Sequence, residues 1–164
     1  MERSTNLKQP SPPLKGLAEL HPQKIRSLPK RRRPMSIAKM IAAHPDVAGD
    51  ANEPLALAVR HALFCSAMCT SCADACLAEK MAHEMRQCIR ACLDCADVCE
   101  ATARVATRRT GSNEIVLCEA LQLCVTACDV CAEECARHDH EHCRICAEMC
   151  RECARDCRAA LEAM

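Results

Sequence analysis

Four stretches carry the chemistry of this chain: CSAMCTSCADAC at 65–76, CIRACLDCADVC at 88–99, CVTACDVCAEEC at 124–135 and CRICAEMCRECARDC at 143–157. Each repeats a +4, +3, +4 step between cysteines. The chain has 18 cysteines in 164 residues, with no proline between 65 and 157 and only 3 glycines overall. More than half of the residues between the thiols are Ala, Glu, Arg, Leu or Met, which favour helix. Steps of three and four keep side chains on one stripe of a helix. Cys65, Cys69, Cys72 and Cys76 therefore share a face, as do Cys88, Cys92, Cys95 and Cys99. The same holds for Cys124, Cys128, Cys131 and Cys135, and for Cys143, Cys146, Cys150, Cys153 and Cys157. Cys118 alone is off this pattern.

Thiols at this density have three uses: filling a core, forming disulfides or binding metal. A core of small, soft side chains packs poorly as a purely apolar layer. Disulfides need Cβ atoms about 3.8 Å apart, whereas i,i+4 neighbours on a helix lie roughly 5–6 Å apart. A metal between two thiolates wants its sulfurs at about twice a ~2.3 Å bond, near 4.6 Å. The spacing suits metal better than an S–S bond, although disulfides between helices stay open. Structural zinc sites use C-x2-C knuckles that close one tetrahedron, and ferredoxin-type loops wrap one cluster. Neither explains a ladder along four helices. Soft thiolates select Cu(I), zinc or Fe–S, and Cu(I) accepts low coordination numbers. The C-x3-C pairs 65/69, 72/76, 88/92, 95/99, 124/128, 131/135, 146/150 and 153/157 are candidate Cu(I) clamps. Bridging between them implies about one ion per cysteine.

The elements that position these thiols are helices. Pro54 suits a helix start, with Asn52 or Glu53 ahead of it. The pattern predicts helices over about 55–80, 83–107, 114–138 and 142–163, broken by "TRRTGSN" with Gly111 and by the polar "HDHEH". Short connections make neighbours antiparallel. The expected fold is all-α, an up-down-up-down four-helix bundle with a cysteine-lined core.

That topology brings the 81–85 and 138–142 turns to one end, with Met81, His83, Met85, His138, His140 and His142. Met85, His138 and His142 fall on the cysteine stripes and are candidate ligands at a copper entrance. The plainer reading of each histidine is a solvated turn residue. The opposite end carries Leu117, Leu121 and Leu161 as an apolar plug, with His61 one turn before Cys65. His61 is a lone candidate ligand, or else a partly buried packing residue.

Residues 1–34 hold six of the 8 prolines and no cysteine, which predicts a disordered extension. Residues 35–53 form an arm with a short helix over 36–43 capped by Ser36. Residues 54–164 are the metal-binding bundle. "RRRP" followed by "MSIAKMIAA" invites a twin-arginine export reading, but the apolar part is short and broken by Lys39. Met35 as the native start is the blander alternative. Lys plus Arg and Asp plus Glu both number 22, so no overall basic field points to nucleic acid. No run is expected to have the length and apolarity of a membrane span. No Ser/His/Asp or paired-carboxylate arrangement stands out, so no enzymatic activity is expected.

The four C-x3-C-x2-C-x3-C repeats on a predicted bundle resemble the bacterial copper storage proteins, over about residues 54–164. The resemblance implies many Cu(I) ions on inward-facing cysteines and a homotetramer. It carries Cu(I) ligation to the in-pattern cysteines and, following them, to Cys118. The histidine-containing mouth is similar to that of the family's cytosolic branch, which implies cytoplasmic copper buffering. A copper chaperone or small thiol is then the exchange partner. The competing readings are an Fe–S redox or electron-transfer protein and a zinc-stabilised structural bundle.

Overall fold

The computed structural model describes residues 36–164; the expected extension over 1–34 lies outside them. Five helices follow in order: α1 Ile37–Ala42, α2 Glu53–Ala78, α3 Arg86–Thr107, α4 Glu114–Cys135 and α5 Glu141–Glu162. The four long helices form a closed ring in which α2 packs on α3 and α5, and α4 packs on α3 and α5. This is the expected antiparallel four-helix bundle, and α1 packs on α2.

Local chemistry sets the helix ends. Asn52 caps α2 through its side chain, which accepts from the Leu55 N–H, and Pro54 sits in the first turn. There its missing N–H costs no helical bond. Ser36 caps α1 by accepting from Lys39 N–H. Gly111 takes a left-handed φ of 69° in the α3–α4 connection, where glycine meets no Cβ penalty. Helices α3 and α4 are shorter than expected. Residues 82–85 close a series of turns before α3 begins at Arg86, and α4 stops at Cys135 rather than at His138.

The core is built from cysteine and alanine. Every cysteine except Cys118 is buried, interleaved with Ala58, Ala62, Ala73, Ala96, Ala103, Ala132, Ala147, Ala154 and Ala160. Leu117, Leu121 and the half-buried Leu161 fill the end near the α3–α4 connection, as expected of a plug. The 36–52 arm belongs to the same end. Ile41 is buried, and Ile37, Ala38, Val47 and Ala51 pack on the core cluster. His44 accepts from the Asp46 N–H at Nδ1, so its Nε2–H donates to Thr110 Oγ1 at 3.1 Å. Arg109 donates to the Ala51 carbonyl at 3.5 Å.

The outer faces differ by helix. Those of α3 and α5 carry i,i+4 and i,i+3 ion pairs such as Arg90–Asp94 and Arg144–Glu141. Those of α2 and α4 expose Leu63, Phe64, Leu77, Val116, Leu123 and Val130. One sequence expectation fails here: α2 and α4 do have the length and apolarity of a membrane span. The reason is that their inward stripes are Cys and Ala and their outward faces also hold few charges. The inward half of each is buried within the bundle.

Candidate metal centre

The stripes converge on one column of sulfur. All 18 thiols are free. Within α2, Cys65 and Cys69 approach to 3.8 Å, and Cys95–Cys99 and Cys131–Cys135 repeat this on α3 and α4 at 3.8 and 4.0 Å. Contacts between helices are at least as close. Cys69 lies 3.5 Å from Cys150 and 3.7 Å from Cys146, and Cys99 lies 3.6 Å from both Cys124 and Cys128. Three contacts cross the bundle axis: Cys65–Cys128 and Cys69–Cys131 at 3.9 Å and Cys88–Cys143 at 4.0 Å.

Layers of four can be followed along the axis. Cys72, Cys92, Cys135 and Cys146 come one from each helix, with all four sulfurs within 4.8 Å of one another. Cys65, Cys99, Cys128 and Cys153 do the same further down. Between them lie Cys69, Cys131, Cys146, Cys150 and the set Cys65, Cys69, Cys95, Cys150. Single cysteines belong to two layers, so the layers are continuous. Cys124, Cys153 and Cys157 close the column, with Cys124 at 4.0 Å from Cys153 and 3.7 Å from Cys157. Many of these separations fall at 3.5–4.0 Å.

The mouth end is different in kind. Cys72, Cys76, Cys143 and His142 form a mixed cluster within 4.8 Å. His142 Nδ1 lies 3.4 Å from Cys143 Sγ, 3.5 Å from Cys72 and 4.0 Å from Cys76. Its Nε2–H donates to Glu79 Oε1 at 3.3 Å. Burial disfavours the imidazolium of His142, but its bonds and charge contacts with Cys72 and Glu79 outweigh this and raise its pKa. Burial pushes the Cys76 thiol up to about 12, helped by charge repulsion from Cys88 and Cys72. Cys143 is raised by the same causes in the same order.

The other expected residues are placed as follows. Met85 is buried at the start of α3. His138 is mostly buried, but its Nε2 is held by Glu134 at 3.3 Å, and Glu134 also accepts from Arg137 at 2.8 Å. His83 is exposed beside Glu84. His61 Nδ1 is bonded to Asp156 on α5, a pairing of α2 with α5. Cys118 is not brought to the column; it is half-buried in a surface cavity lined also by Leu55, Arg109, Glu114 and Met164.

Sequence reasoning missed Glu79, Glu134 and Asp156. Glu134 stands four residues before His138 and was legible as a helical neighbour. Glu79 and Asp156 reach histidines 63 and 95 residues away, which only the packing of α2 against α5 reveals.

Proteins of known structure resemble this chain over most of its described length. A copper storage protein of Streptomyces lividans, Ccsp, solved with 10 copper equivalents, is 43% identical over 79% of this chain and 100% of that one, with a TM-score of 0.75. A structure of copper loading to a cytosolic copper storage protein from Streptomyces lividans, with five coppers, is 48% identical over 67% of this chain and 93% of the other, with a TM-score of 0.66. Cu(I)-bound BsCsp3, a copper storage protein, is 34% identical over 63% of this chain and 94% of its own, with a TM-score of 0.58. The copper storage protein family model matches residues 51–162. With the thiol-lined bundle in place and that match spanning most of the chain, this protein belongs to the copper storage protein family.

Proposed function

We propose that this chain stores and buffers Cu(I), carrying many ions as cargo on the inward thiolates. One observation carries the reading: every cysteine but Cys118 is buried in one continuous sulfur column spanning all four helices. Soft thiolates favour Cu(I), and shared sulfurs let ions occupy adjacent sites. A single closed zinc tetrahedron or one Fe–S cluster would use four of these thiols and leave the rest without a role. The role is storage rather than catalysis, since metal-saturated thiolates are poor nucleophiles.

Copper enters at the His142 end, where nitrogen and sulfur ligands meet half-exposed side chains. The other end is closed by Leu117, Leu121 and the arm. The ligand set is the in-pattern cysteines with His142; Met85 and His138 stand beside the mouth. Cys118 and His61 serve elsewhere, on the evidence of their positions. The working compartment is the cytoplasm, as for the Streptomyces lividans relative. Docking of α1 on α2 through buried Ile41 supports this, because that segment is part of the folded body. A copper chaperone or small thiol exchanges ions at the mouth. The chain forms a homotetramer through the apolar outer faces of α2 and α4.

The test is metal and sulfide analysis of protein purified from copper-supplemented cells, without added metal afterwards. Copper in large excess over iron and zinc, with no acid-labile sulfide, supports storage. Iron with sulfide, or one zinc per chain, refutes it.

A further inference from the structure

The mouth holds one carboxylate beside two histidines. Glu79, just past α2, places Oε1 at 3.2 Å from Nδ1 of His140 and 3.3 Å from Nε2 of His142. The two imidazoles stack, with centroids 5.3 Å apart and planes 17° from parallel. An ionised carboxylate only accepts hydrogen bonds, so the His142 Nε2 bonded to it must carry N–H. A neutral imidazole has one N–H, and its other nitrogen keeps a lone pair. For His142 that nitrogen is Nδ1, the atom set among Cys72, Cys76 and Cys143.

We propose that Glu79 is a positioning residue for copper uptake. It fixes His142 as the Nε2–H tautomer with its Nδ1 lone pair aimed at three thiols, while its charge lies beside the stacked His140 ring. The inference rests on the Cu(I)-storage reading. Carboxylates behind metal-binding histidines set tautomer and ring orientation and raise ligand basicity. A half-exposed contact of this kind contributes little to stability, so its value lies in orientation.

The experiment compares wild type with Glu79→Leu and Glu79→Gln. Imidazole 15N NMR of the reduced, metal-free proteins is recorded at a pH about two units above the ordinary histidine value. Affinity for the first Cu(I) equivalents and total capacity are measured against a chromophoric competitor. Wild type is expected to show His142 with its proton on Nε2. Glu79→Leu is expected to lose this preference and to bind the first ions about tenfold more weakly, with capacity unchanged. Glu79→Gln, which keeps an acceptor oxygen, recovers most of the affinity. A wild-type His142 protonated on Nδ1, or a Glu79→Leu protein with wild-type affinity, overturns the proposal. Wild-type protein that takes up no Cu(I) overturns the storage reading instead. The His142 tautomer, read without metal, still decides whether Glu79 sets it.

Discussion

The Sγ atom of Cys65 lies 3.6 Å from that of Cys150 on the neighbouring helix, closer than the 3.8 Å to Cys69 one turn along its own helix. Cys69 in turn is nearer to Cys150, at 3.5 Å, than to Cys65. The two cysteines of a C-x3-C step are therefore not a closed pair. Each has alternative partners across the bundle, and the column is the functional unit.

This difference can be counted. If Cys65 and Cys69 formed one clamp, losing either would abolish the same site, and Cys65→Ser/Cys69→Ser would cost no more copper than one substitution. In a shared column each thiolate contributes independently. The double variant is expected to lose about the sum of the two single losses, as non-additivity marks a shared unit. Cu(I) capacity of the two single variants and the double variant decides between them.

The thiol protons give a pH signature in the metal-free protein. Cys76 is raised to about 12 by burial and by the neighbouring sulfurs. An unfolded thiol titrates near 8.5, so the folded state holds its proton to higher pH. The stability this contributes is present in full below about pH 8.5 and is lost as pH rises toward the folded value. The Tm of reduced, metal-free protein is expected to fall steadily from about pH 8.5 upward. A Tm that rises over that window contradicts the assignment. Copper loading should run the other way and tighten with pH, because each bound thiolate first releases its proton.

Asp156 has a structural task separable from metal. Its side chain is 8% exposed and bonded to His61 across α2 and α5, with Arg155 beside it. Asp156→Ala leaves His61 without its partner and is expected to cost about 1–3 kcal/mol of stability. Chemical denaturation measures the loss, and Cu(I) capacity should stay at the wild-type value. A fall in capacity without a fall in stability would make His61 a ligand after all.

Self-association is expected to run through the apolar outer faces. Phe64 is 53% exposed and Leu123 56%, on helices that carry few outward charges. Charged residues there oppose burial against a second copy. Phe64→Glu combined with Leu123→Glu is expected to convert a tetramer to smaller species in light scattering, with helicity retained. An unchanged mass places the interface elsewhere.

The sequence carried the bundle and the column because both follow from period. The +4, +3, +4 step fixes which face is buried, and short turns fix antiparallel neighbours. Placing His142 on the cysteine stripe by counting back from Cys146 brought it to the thiols. The same count placed His138 on a stripe, yet Glu134 holds it beside the column. Position on a helix says which way a residue faces but not which partner competes for it. Glu79 and Asp156 were invisible for a related reason: each meets a histidine on another helix. Cys118 shows the converse, since one departure from the step was enough to put it in a surface cavity.

The central claim is that one continuous column of thiolates holds copper in bulk. Titration of reduced, metal-free protein with Cu(I) against a chromophoric competitor tests it directly. The account predicts tight uptake to about one ion per buried cysteine. Saturation at about one to four ions per chain, as a closed tetrahedral site or a single cluster would give, would contradict it.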